Sequence, residues 1–100
     1  MPVASLRLIT IVAEPVLEAR LLKDLRTLGA SGWTITESRG QGSRGLRASD
    51  LPGAGIRVEV IASPEVADRI VAHVAQHYFP QFAVIAWTTA VDVVRGEKYV

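Results

Sequence analysis

Residues 40–49 read GQGSRGLRAS. Glycine lets the backbone come close to a ligand, so that successive N–H groups converge on an anion. Arginine adds a planar fork matched to phosphate or carboxylate oxygens. Gly40, Gly42, Ser43, Arg44 and Arg47 therefore form a candidate anion cradle, best suited to phosphates. It is not a P-loop, because the Gly-Lys-Ser/Thr ending and the following helix are missing, and it is not a dinucleotide fingerprint. The wider segment 39–55, RGQGSRGLRASDLPGAG, holds five of the eight glycines and three of the eleven Lys/Arg residues. Its charge is +2, Arg39, Arg44 and Arg47 against Asp50, while the other 83 residues sum to −1. A solvated hairpin connection would share this composition. Its length argues for function, since hairpin loops usually run to about two to five residues.

Other residues offer weaker chemistry. His73 and His77 are four apart on a predicted helix, a spacing that can bind a metal. No Asp, Glu or Cys completes the set in sequence, so a solvated or packed pair is the better reading. Trp33 and Trp87 could stack on bases, but the aromatic strand signature of RNA-binding sheets is missing, and they read as core or subunit-interface residues. No nucleophile–base pair or close carboxylate pair is evident. The chain is therefore read as a non-enzyme, with a slow nucleotide hydrolase and a ferredoxin-like nucleic-acid module as alternatives. Arg95 and Lys98 give a basic tail.

The elements that must position the loop follow from patterning. The 100 residues are 49% apolar and 21% charged, a globular profile that fits one domain over 1–100. A net charge of +1 is too small to argue for nucleic acid. Cysteine is absent, which excludes disulfides and thiolate metal sites. No signal segment or apolar run long enough for a membrane span is seen, so a cytoplasmic protein without membrane insertion is expected.

SLRLITIVA, 5–13, reads as a strand buried on both faces. Glu14-Pro15 opens a helix whose stripe is Leu17, Leu21, Leu25 and Leu28, and Gly29 ends it. GWTITES follows as a strand, with Trp33, Ile35 and Glu37 on one face and Thr34, Thr36 and Ser38 on the wetter one. IRVEVIA, 56–62, is a third strand. The second helix carries Ser63 as N-cap and Pro64 at its first position, with a stripe of Val66, Ile70, Val74 and Tyr78, and Pro80 closes it. FAVIAWTTAVDVV, 82–94, is the last strand. The order βαββαβ predicts an α+β, ferredoxin-like sandwich: a four-stranded antiparallel sheet, both helices on one face, and a long loop between strands two and three. The uncovered sheet face, which carries either Trp33 or Thr34 depending on register, predicts an oligomer.

GASGWTITES and the motif Gly40-x-Gly42-Ser43-Arg44-x-x-Arg47 resemble the second strand and T-loop of PII-like signalling proteins. The resemblance is to the bicarbonate-linked subgroup, the SbtB-type regulators and their carboxysome-associated relatives. HYFPQFAVIAWTTAVDVV is similar to that family's helix end and fourth strand. The resemblance implies a homotrimer that binds ADP, AMP, ATP or cyclic AMP between subunits, with no covalent cofactor. It implies phosphate contacts from Gly40, Gly42, Ser43, Arg44 and Arg47, with Thr34 near the cleft and Val84-Ile85 at the adenine edge. Arg95 and Lys98 fall where classical members place basic residues on phosphates. Some carboxysome-associated members also sense bicarbonate. The T-loop would report to a protein target, a bicarbonate transporter or a carboxysome-related protein. The sequence departs from the subgroup in its shorter loop, in the stretch DLPGAG and in lacking a cysteine-bearing extension.

Overall fold

In a computed structural model of the chain, residues 3–40 and 54–99 are described. The first strand, β1, is Val3–Ala13. A 3-10 turn at Pro15–Leu17 leads into α1, Glu18–Leu28. Strands β2, Thr34–Arg39, and β3, Ala54–Ala62, flank the long loop. Helix α2 is Pro64–His77, β4 is Ile85–Val94, and Gly96–Tyr99 forms a last 3-10 turn.

All three strand pairings are antiparallel, in the order β2-β3-β1-β4. The expected α+β, ferredoxin-like sandwich is the fold observed. β1 runs through the centre, pairing from Arg7↔Ala62 to Ala13↔Ile56 with β3 and from Val3↔Val94 to Val12↔Ile85 with β4. Strand alternation puts Ile9, Ile11 and Ala13 on one face with Ile56, Val58, Val60 and Ala62. The helices close over these residues with Leu17, Leu21, Leu25, Ala67, Ile70 and Val74, all buried. Burial of this size, at about 25 cal/mol per Å² of apolar surface, is the main term holding the layers together.

The helix signals act as expected. Ser63 Oγ accepts the Val66 N–H at 3.3 Å, and Pro64 occupies the first position. Gly29 takes φ 110°, a left-handed cap that only glycine adopts without strain. Several boundaries differ from the sequence reading. The first turn after Glu14 is 3-10 and not α, so the Leu17 stripe begins one turn before α1. The last strand begins at Ile85 and not at Phe82, because Phe82 N–H bonds Tyr78 O at 2.9 Å and Val84 N–H bonds Phe82 O at 2.9 Å. The loop is shorter at its roots, since Arg39 and Ala54 pair as the end of the β2–β3 ladder.

No helix among the described residues is long and apolar enough to cross a membrane.

Candidate functional site

The sheet face away from the helices carries the polar and aromatic residues of interest. Cross-strand partners share a face, so the pairings place Thr34, Glu59, Thr10 and Trp87 in one row. Thr36, Arg57, Val12 and Ile85 make the next row toward the loop. The register thus puts Thr34 on this open face and Trp33 with the core-packed residues. The Arg57 guanidinium lies 5.7 Å from the Trp87 ring centroid, within cation–π range. Arg57 Nε also sits 3.8 Å from Glu59 Oε2. Beneath them Thr10 is fully buried, and its hydroxyl has no hydrogen-bond partner among the described residues. Ile85 and Trp87 remain 58% and 40% exposed, large values for such apolar side chains.

Those of the residues predicted to hold a ligand that are described fall in four places. Gly42, Ser43, Arg44 and Arg47 lie outside the described residues. Gly40 follows β2 directly and is exposed, and apart from its chain neighbours no described residue lies within 4 Å of where its Cβ would be. Thr34 opens the same strand, six residues and roughly 20 Å away. Val84 and Ile85 stand at the start of β4, the opposite edge of the sheet, about 14 Å across three strand spacings. Val84 is buried in the core while Ile85 is open. Arg95 and Lys98 come after the far end of β4, roughly 30 Å along the strand from Ile85. Arg95 is exposed with φ 67°, and its carbonyl accepts the Lys98 N–H at 3.2 Å. Within one chain, then, Gly40 and the Val84-Ile85 segment share one end of the sheet on opposite edges, and the basic tail lies at the other end.

A second polar group, which the sequence reading missed as a unit, joins the two helices. Tyr78 OH donates to Asp24 Oδ2 at 2.6 Å, and His73 Nε2 bonds the same oxygen at 3.0 Å. The Arg20 guanidinium stacks 4.5 Å from the Tyr78 ring centroid, and its Nη2 reaches His77 O at 3.5 Å. Burial pushes the Asp24 carboxyl up, but the hydrogen bonds from Tyr78 and His73 and the charges of His73 and Arg20 outweigh it. The net result holds Asp24 below its ordinary 3.8. Burial first, and then the bond to Asp24, push the Tyr78 hydroxyl well above the ordinary phenol range. The two histidine rings lie 4.4 Å apart. Among the described residues no set of three or more His, Cys, Asp or Glu side chains is placed to hold a metal. His73 therefore serves as a bridge to Asp24. Trp33, for its part, packs on the core beneath Arg26, whose guanidinium is 5.2 Å from its ring.

Residues 6–98 match the family model for nitrogen regulatory protein P-II. A protein of Thermus thermophilus assigned to the PII-like signalling proteins is 54% identical, with a TM-score of 0.87 over all of both chains. CPII from Thiomonas intermedia K12, in a structure with ADP and bicarbonate, is 20% identical with a TM-score of 0.83, covering 99% of this chain and 98% of that one. The same protein with ADP, AMP and acetate is 18% identical with a TM-score of 0.81, covering 99% and 98%. At those lower identities the likeness speaks for the fold.

Proposed function

We propose that this chain, which belongs to the nitrogen regulatory protein P-II family, is a cytoplasmic signal-transduction protein, not an enzyme, that reads adenine nucleotides between subunits of a homotrimer. The whole of 1–100 acts as one PII-like domain. ADP or AMP is the primary ligand, and bicarbonate a second one. The loop between β2 and β3 changes state with the ligand and is read by a protein target in inorganic-carbon uptake or carboxysome function. Phosphates rest on Gly40, Gly42, Ser43, Arg44 and Arg47, and the adenine edge meets backbone groups near Val84-Ile85 with Thr34 close by. Arg95 and Lys98 reach the phosphates of a neighbouring subunit's site.

One observation carries this reading. The candidate residues are spread over both edges and both ends of a single sheet. Among the described candidates no one chain brings them together, whereas one end of a β4 edge set beside the β2 edge of another copy would bring candidates from two chains to one place. The open face supports the same assembly, because it leaves Ile85 and Trp87 exposed in the isolated chain. CPII, with its bound ADP and bicarbonate, supplies the ligand classes to test.

The test is calorimetric titration with AMP, ADP, ATP and cyclic AMP, each with and without bicarbonate, alongside light scattering. Micromolar binding by a trimer, tightened by bicarbonate, is the expected result. Absence of heat with all four nucleotides would sink the nucleotide reading and leave the loop as a protein-contact segment.

A further inference from the structure

We infer that Arg57 of one copy pairs with Glu59 of the next, so that a ring of alternating charges on the open sheet face closes the trimer and sets its register; this rests on the trimer reading above. Of the strand residues described, only these two on the open face are ionisable. Arg7, Glu37, Arg39 and Asp92 alternate onto the other side. Arg57 and Glu59 stand two apart on β3, one of the two inner strands of the sheet, and are opposite in sign.

Within one chain the pair is loosely used. Arg57 Nε is 3.8 Å from Glu59 Oε2, beyond hydrogen-bond length. A guanidinium carries its N–H donors in a planar fork, and among the described residues Arg57 makes no hydrogen bond with them. Its other contact is with the face of Trp87, 5.7 Å from the ring centroid. The two charged side chains remain 45% and 29% exposed, so water serves them in the single chain.

A second copy changes this. Burying the exposed Trp87 and Ile85 strips water from the charges beside them, and charges out of water must be paired. The face that arrives is the same face and brings the same two charges. Like set against like opposes docking, so the contact that closes is Arg57 against Glu59 of the neighbouring copy. With three open faces turned to a common axis, each copy gives its carboxylate to one neighbour and its guanidinium to the other. The ring that results alternates in sign and has no net charge.

The experiment is charge reversal, read by light scattering and native mass spectrometry, with far-ultraviolet circular dichroism as the check on folding. Arg57→Glu and Glu59→Arg should each raise the concentration at which the trimer dissociates by on the order of a hundredfold. Mixing the two variants should then yield mixed trimers. Within each variant chain the two positions carry like charges, whereas between unlike chains they carry opposite ones, so only a contact between copies is repaired by mixing. Wild-type assembly by either reversal overturns the ring, and so does a mixture that stays as dissociated as its components. Should a reversal fail to fold, Arg57→Gln and Glu59→Gln decide: each should weaken the trimer by about tenfold, and wild-type assembly in both overturns the ring. A wild type that is monomeric overturns the trimer reading and the ring together.

Discussion

The seam between the two helices and the open face of the sheet both hold polar side chains under cover, yet they treat them oppositely. In the seam the buried Tyr78 hydroxyl meets Asp24, Asp24 meets His73, and Arg20 lies over the Tyr78 ring. On the open face the Thr10 hydroxyl is buried without a partner among the described residues, and Trp87 and Ile85 stay exposed beside it. An unpaired buried hydroxyl costs about 1–3 kcal/mol, so a fold keeps few of them. The difference teaches where the chain is complete in itself. The helix seam satisfies these groups within the chain, whereas the open face leaves a buried hydroxyl and exposed apolar side chains without partners among the described residues.

The contrast can be broken most severely at Trp87. Trp87→Glu puts a carboxylate on the edge strand of the open face, and desolvating it against another copy costs several kcal/mol. Light scattering should show the trimer replaced by monomer, while far-ultraviolet circular dichroism keeps its helical signal; a trimer that survives would mean this face is not the contact. Next in size is Arg47→Ala in the loop. A hydrogen bond to a charged group is worth about 1.5–3 kcal/mol, so nucleotide affinity should fall by roughly ten- to a hundredfold with the oligomer intact. Wild-type affinity in that variant would remove the cradle.

The seam should respond in stability and not in binding. Asp24→Ala leaves the Tyr78 hydroxyl buried without its acceptor and should cost about 2 kcal/mol in denaturant melts, with nucleotide affinity unchanged. The same pair predicts a pH dependence. Asp24 is held below 3.8 in the folded protein, so as the medium is acidified the unfolded chain takes up that proton first. Its contribution is full above the unfolded value and fades as pH falls through the folded one. Asp24→Asn should flatten the stability profile below about pH 4, and a wild-type profile already flat there would contradict the assignment. The smallest effect belongs to Thr10→Val, which removes the unpaired hydroxyl and should raise stability by about 1 kcal/mol. A loss of trimer in that variant would instead show that a neighbouring copy supplies the missing partner.

Particular residues show how far the sequence could be read. The start of the second helix was legible to the residue because Ser63, Pro64 and Glu65 each act locally, within a single turn. The two faces of β2 were legible because alternation needs only the strand itself. The start of β4 was not. Phe82 and Val84 are apolar and alternate like strand residues, but Tyr78 O and Phe82 O capture the N–H groups of Phe82 and Val84 and bend the chain. The Asp24–Tyr78 bond joins residues 54 apart, and neither helical stripe singles out that partner. The loop motif offers glycine, serine and arginine at close spacing, while the distances among the described candidates Thr34, Gly40, Val84 and Ile85 belong to topology.

The place of β1 at the centre of the sheet has a consequence for how the chain is made. It leaves the ribosome first, yet its neighbours are β3 and β4, and Val3 must wait for Val94. Pairings so distant in sequence form slowly. Through most of synthesis the LRLITIV stretch has no strand to lie against on either side, and such bare apolar strands invite aggregation. Once β4 emerges, the edge it presents is ten residues long with Asp92 as its one charge, a poor guard against stray strands. A newborn chain is thus most vulnerable before its own sheet is finished, and in the proposed trimer its yield in the cell should rise with the local supply of copies.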